Sequence, residues 1–269
     1  MLELTYAVRE YAFREGVDLL GITSAESLKG APKGRRPEDL LPGAKAVVAV
    51  GVGFTDPLMK AWYNLPGRGM FEAKSLGRTL HNFWKFKISK FLEDRGYKAT
   101  IDSEEFIPSL RLNRVFQQAG LGYVGKSQLL ITPKYGPRVN LGVVLTDAPL
   151  IPNDPYEGNC PNACKLCENH CPSGAISQEI YDARKCQKYI DNVENMRLFS
   201  RYFASECEMC MLVCPQGEVK WPYRGEEWTD ILKKNRLEGL PFISELLEYE
   251  HSKKRTRLDK LEKNHTVKG

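Results

Sequence analysis

The stretch "CPNACKLCENHCPSGAIS", residues 160–177, holds four thiols within twelve positions. The full pattern is Cys160-x3-Cys164-x2-Cys167-x3-Cys171-Pro172, then Cys186, then Cys207-x2-Cys210-x3-Cys214-Pro215. All eight cysteines of the 269-residue chain fall in this span. Closely spaced thiolates can wrap one iron–sulfur cubane in a tight turn, while a cysteine–proline step swings the next thiolate to a neighbouring cubane. Two such steps occur, at Pro172 and Pro215. The ligands divide without remainder: Cys160, Cys164, Cys167 and Cys214 for one 4Fe–4S cluster, and Cys171, Cys186, Cys207 and Cys210 for the other. The x3 spacing between Cys160 and Cys164 departs from the usual x2. Zinc is the alternative for C-x2-C pairs; the two Cys-Pro ends and the interleaved spacing weigh against it. A disulfide framework suits small secreted chains instead. His170, between ligand positions, reads as a hydrogen-bonding partner that tunes a potential or as an ordinary polar neighbour.

Two clusters move electrons one at a time and hold no substrate. A receiver must therefore lie in the 159 cysteine-free residues before them. That region reads as alternating helices and strands. Leu4, Ala7, Val8, Tyr11 and Ala12 recur at helical spacing, with Gly16 as a stop. "VDLLGIT" and "AKAVVAVGVGF" read as strands, the second fully buried. Leu80, Phe83, Trp84, Ile88, Phe91 and Leu92 mark a long amphipathic helix ended by Gly96. "YKATID", "LLIT" and "RVNLGVVLT" supply further strands, with a helix around 110–118 and "PKYGP" as a turn. The expected class is α/β (α+β). The expected division is 1–150 for a cofactor and substrate domain, 151–225 for the cluster module, and 226–269 for a helix and basic tail.

The net charge of +5 demands no nucleic-acid partner. The longest apolar run, residues 44–54, is about half of the roughly 20 residues that span a bilayer. The charged, helical N-terminus is unlike a signal peptide. A cytoplasmic protein with no membrane partner is expected.

The block "AGLGYVGKSQLLITPKYGPRVNLGVVLTDAPL" followed by the "CPSGAIS" module resembles the cobalamin-dependent iron–sulfur reductases, the group of epoxyqueuosine reductase and the reductive dehalogenases. "LLPGAKAVVAVGVGF", "GRTLH" and "DARKCQKYI" are similar to stretches of the former, and "ITPKYGPRVNLGVVLTD" is closer to the latter. The resemblance implies a nitroreductase-like domain that holds cobalamin, with a ferredoxin-like two-cluster module docked on it. It implies electrons passing from an external one-electron donor of ferredoxin or flavodoxin type through the clusters to the corrinoid. A flavin in place of cobalamin is the alternative cofactor, and an electron-transfer protein whose N-terminal domain only docks a partner is the alternative function.

On that resemblance Gly120, Gly122 and Gly125 let backbone approach the corrinoid, and Lys126 and Arg138 pair with its polar groups; the plain alternative is a helix cap and tight turn with solvated charges. Reduction consumes protons as well as electrons. Asp102, in "TIDSEEF", is the expected proton donor by likeness to a "DSAP" stretch of epoxyqueuosine reductase, with Glu104 and Glu105 as fallback acids. Tyr123 is the second candidate. Epoxyqueuosine reductase continues into a helical-repeat domain that grips tRNA, whereas about 45 residues follow Tyr223 here. A small-molecule substrate is therefore expected, with tRNA the lesser expectation. The 251–269 tail, seven Lys/Arg against two acidic residues, reads as a solvated terminus before a phosphate-binding one.

Overall fold

The structure is a computed structural model that describes residues 1–54, 69–102, 110–177, 180–191 and 209–218, with backbone alone for 69–75 and 191. Residues Met1–Gly225 form one compact unit and Glu226–Gly269 a second. The expected helix and basic tail of the second unit, and the candidates Cys207, Glu104 and Glu105, lie outside the described residues.

Helix α1 (Leu2–Arg14) forms where the apolar spacing places it, and it buries Thr5, Val8 and Ala12. Gly16 follows with φ 87°, the left-handed geometry that suits a stop. The chain then enters β1 (Leu19–Ser24). Pro37 opens the short helix α2 (Pro37–Leu40). The Asp39 carboxylate accepts the N–H groups of Gly34 and Arg36, which fixes the entry to that helix.

Strand β2 (Ala46–Gly53) is the centre of the sheet. It runs antiparallel to β1, with Leu19 opposite Gly51, and antiparallel to β6 (Val139–Thr146), with Ala46 opposite Thr146. Strand β3 (Ala99–Ile101) pairs with the far side of β6, so the order is β1-β2-β6-β3. Every ladder is antiparallel, which makes this an α+β rather than a doubly wound arrangement.

The continuous apolar run of β2 has a direct cause: both of its faces are buried. Ala46, Val48, Val50 and Val52 pack with Val8, Leu20, Ile22 and Val144, and with Trp84, Ile88 and Leu92 of α3 (Gly69–Glu93). Val47 and Ala49 face the other way, onto Val143, Leu145, and Val115 and Phe116 of α4 (Leu112–Gln118). Side chains alternate across a strand, so one sequence run feeds two cores. The molecule is thus layered: α1 and α3, the sheet, then α4. Trp84 adds a hydrogen bond from its indole N–H to the Glu15 carbonyl, 3.0 Å.

After α4 comes a small hairpin, β4 (Tyr123–Val124) with β5 (Leu130–Ile131). The cysteine module adds α5 (Leu166–Asn169), the hairpin β7 (Ile176–Ser177) and β8 (Ile180–Tyr181), α6 (Ala183–Asp191) and α7 (Met209–Leu212).

Candidate redox centre

The seven described cysteines, all half-buried, fall into two electrostatic groups. Cys167 is raised above the ordinary thiol range by burial and by the sulfurs of Cys160 and Cys164. Cys214 is pushed up to about 11 by burial; the Gln216 N–H and the Arg138 guanidinium partly offset this, and Cys160 and Cys167 add to it. Cys160, Cys164, Cys167 and Cys214 are therefore neighbours, although 54 positions separate the first from the last. Cys186, Cys210 and Cys171 surround a different residue, Tyr181. Cys171 is the exception in acidity. Burial raises it, but the Ser173 hydroxyl and the N–H groups of Ile176, Ser173 and Ala175 outweigh that and hold it low. The Ser173 hydroxyl lies 3.3 Å from the Cys171 sulfur. Among the described residues, no three of His, Cys, Asp or Glu converge to single-ion distance. His170 directs Nδ1 at the Leu166 carbonyl, 2.8 Å, within its own helix turn.

The block "AGLGYVGK" lies against the first group. The backbone N–H of Lys126 donates to Cys160 Sγ at 3.4 Å. Lys126 Nζ donates to the carbonyls of Asn162 at 3.0 Å and Cys164 at 3.3 Å. Tyr123 is buried beside the Cys160 sulfur. The phenol is pushed up to about 12 by burial first, then by the charges of Cys160 and Cys214. Its ring stacks on Tyr156, centroids 6.4 Å apart.

The glycines are required here by close approach. A Cβ on Gly122 would strike the Ile131 carbonyl oxygen, with Ile131 C at 2.9 Å; one on Gly125 would meet Ile131 Cγ1 at 3.0 Å and Cys160 Sγ at 3.3 Å. Gly120 sits at φ 78°, and a Cβ there would stand 2.8 Å from the Asp154 carbonyl oxygen. The Cβ side of each of these glycines faces the hairpin, the Asp154 carbonyl or the Cys160 sulfur.

Arg138 enters from the start of β6. It is 2 % exposed, and its Nη1 and Nη2 donate to the carbonyls of Cys214 and Gln216 at 3.1 and 2.7 Å. Gly136 and Gly217, both at positive φ, pass each other there, and the Glu218 N–H reaches the Pro133 and Lys134 carbonyls. Arg138 and the turn before β6 thus hold the Cys214 limb of the first cysteine group, while Lys126 holds its Cys160 limb.

Asp102 lies apart from this grip, at the end of β3, and is 4 % exposed. Its Oδ2 accepts the Leu110 N–H at 3.1 Å. Lys85, 1 % exposed on α3, donates Nζ to the Asp102 carbonyl at 3.4 Å. One turn earlier sits His81, equally buried and lowered to about 3 by burial, then by Lys85 and Arg78. The sequence reading passed over His81 and Lys85. The available signal was their i,i+4 spacing on the same face as Trp84 and Ile88, where a polar residue needs a partner. A cleft of about 260 Å³ lined by Ala25, Glu26, Lys29, Arg36 and Lys45 contains none of the candidate residues.

Among the described residues no helix is long and apolar enough to cross a membrane. No protein-family profile matches the chain. It is 30% identical over 203 residues to the epoxyqueuosine reductase of Bacillus cereus, covering 69% of this chain and 52% of that protein. The chain spans about half the length of that relative. An epoxyqueuosine reductase solved with an epoxyqueuosine-modified tRNA stem loop superposes with a TM-score of 0.61 at 22% identity, over 84% of this chain and 68% of that one. A catabolic reductive dehalogenase superposes with a TM-score of 0.59 at 22% identity, over 78% of this chain and 31% of that one. The chain is thus similar in sequence to the epoxyqueuosine reductases over about two thirds of its length, and it shares the fold of the solved epoxyqueuosine reductase and reductive dehalogenase.

Proposed function

We propose that the chain is an iron–sulfur reductase. An external one-electron donor of ferredoxin or flavodoxin type loads two 4Fe–4S centres, which deliver electrons to a reducing cofactor held in the α/β region. The observation that carries this reading is the gathering of Cys160, Cys164, Cys167 and Cys214 around one locus and of Cys171, Cys186 and Cys210 around another. The donor chemistry fits: thiols alone, half-buried, with the Lys126 N–H donating to the Cys160 sulfur. Cys207 completes the second set on spacing.

The likeness to epoxyqueuosine reductases and to a structure described as supporting B12-dependent dehalogenation favours a corrinoid as that cofactor. When bound, a corrinoid supplies low-valent cobalt as the reductant. Gly120, Gly122, Gly125, Lys126 and Arg138 make their described contacts with cluster loops and hairpin, and we assign them to that task. Asp102 is the proton donor in this reading. Removing an epoxide oxygen as water takes two electrons and two protons, and replacing a halogen by hydrogen takes two electrons and one proton. Burial of Asp102 keeps bulk water from competing for that role.

Two substrate readings follow. A small molecule bearing a C–O or C–halogen bond is the first. Epoxyqueuosine in tRNA is the second, favoured by the relatives' names and by the stem-loop complex of one of them. Anaerobic titration of the reduced, reconstituted chain with cobalamin and with flavin mononucleotide tests the cofactor. A spectral change with cobalamin alone is expected. A response to flavin alone replaces the corrinoid, and a response to neither reduces the chain to an electron carrier. Turnover of an epoxyqueuosine-containing stem loop against a halogenated phenol separates the substrates.

A further inference from the structure

The two thiol groups differ in what surrounds them. The first is held from the α/β region, by the Lys126 N–H on Cys160 Sγ at 3.4 Å and by Arg138 on the Cys214 carbonyl at 3.1 Å. The second includes Cys186, which sits on α6, and one face of α6 lies in solvent. Asp182 starts that helix: its Oδ1 accepts the N–H groups of Arg184 and Lys185 at 2.9 and 3.2 Å. Cys186, Tyr189 and Ile190 are half-buried on the inner face. Arg184, Lys185 and Lys188 are exposed on the opposite face, since residues three and four apart share one side of a helix. No acidic residue falls between Ala183 and Ile190 to offset them. Just before the helix, Ile180 is 69 % exposed.

We propose that this basic face of α6 is the docking surface for the external donor, an acidic one-electron carrier protein. The inference rests on the two-centre reading above. A carrier whose cluster is held by four thiolates, or whose flavin bears a phosphate, is anionic around its redox group, and a cationic face draws it in. A helix with its side chains is about 10–12 Å across, so a carrier seated on the outer face lies about one helix diameter from the Cys186 sulfur. Ile180 supplies the apolar contact and the three cations the charged rim. A small interface of this kind suits a carrier that must leave after each electron. One electron passes from the carrier to the centre that Cys186 serves; no bond forms or breaks, and no proton moves. The centre tied to Lys126 and Arg138 then stands further along the route, toward the α/β region.

The test is stopped-flow reduction of the anaerobically reconstituted full chain by reduced flavodoxin, an acidic carrier, at several salt concentrations. The second-order rate for wild type should fall steeply as salt rises. The triple variant Arg184→Gln, Lys185→Gln, Lys188→Gln should be slower by about tenfold at low salt and nearly insensitive to salt. Isothermal titration calorimetry with oxidised flavodoxin should show a matching loss of affinity. Removing the same charge from Lys33, Arg35 and Lys45, exposed elsewhere, should leave rate and affinity nearly unchanged. Photoreduction by neutral 5-deazariboflavin needs no docking and should be equal in all three proteins; a slower triple variant there would place the defect in the centre and overturn the inference. A triple variant with the wild-type rate and salt dependence, or one matched by the Lys33, Arg35 and Lys45 variant, would also overturn it. So would a triple variant that loses affinity for an epoxyqueuosine-containing stem loop but not for flavodoxin, which would assign the face to nucleic acid. In those cases full iron and sulfide leave the two-centre reading intact. Wild-type chain without labile sulfide would sink that reading and this inference with it.

Discussion

Replacing Arg138 by Met tests the grip of the sheet on the cysteine module. The guanidinium is 2 % exposed and donates to the Cys214 and Gln216 carbonyls at 3.1 and 2.7 Å. Hydrogen bonds from a charged donor contribute about 1.5–3 kcal/mol each, so the two together are worth about 3–6 kcal/mol. Removing a buried charge returns part of that through its desolvation cost, leaving a net loss of about 2–4 kcal/mol. For a chain of this size that lowers Tm by roughly 5–15 °C. The second consequence is chemical. The guanidinium lowers Cys214, whose acidity burial already opposes. Without it the thiol holds its proton harder and is a poorer ligand. Iron and sulfide in the reconstituted variant should therefore fall from about eight to about four, with the second centre retained. Arg138→Lys should rescue only in part, because an ammonium lacks the planar fork that reaches two carbonyls. A variant with full iron, full sulfide and unchanged Tm would refute the reasoning.

Four further outcomes are expected. Gly122→Ala places a Cβ on the Ile131 carbonyl and should cost about 1–3 kcal/mol, read as a lower urea midpoint. Ile88→Ala, at 1 % exposure between α3 and the sheet, should cost about 2–5 kcal/mol by the same assay while iron content per folded chain stays constant. Asp102→Asn should cut turnover by about 10²- to 10⁴-fold with clusters intact, and unchanged turnover would remove it as the acid. Below pH 6.5 the unfolded chain protonates His81, which the folded chain resists until about pH 3; its contribution is present above pH 6.5 and lost as pH falls through that window. His81→Gln should therefore flatten the dependence of stability on pH between those limits, measured by denaturant unfolding.

The elements were legible where one physical rule governs them. The helical spacing from Leu4 to Ala12 and the stop at Gly16 locate α1, and the unbroken apolar run of β2 announces a strand buried on both sides. Spacing and the Cys-Pro steps suggest a grouping of the thiols, and the fold sets Cys160, Cys164, Cys167 and Cys214 near one another. Partners across long separations were not legible. Nothing in "PRVN" says that Arg138 ends at the Cys214 carbonyl 76 positions later, and nothing in "GLGYVGK" distinguishes a glycine that admits a cofactor from one that admits Ile131. Both patterns ask only for a missing Cβ. Tyr123 illustrates the same limit. Its place in a glycine loop fits a proton donor, and only the fold shows that its ring is buried and stacked on Tyr156.

The direct test of two 4Fe–4S centres is iron, acid-labile sulfide and zinc analysis of the full chain after anaerobic reconstitution. The account predicts about eight irons and eight sulfides per chain, falling to about four of each when Cys186 is replaced by Ser. Stoichiometric zinc without labile sulfide would contradict it.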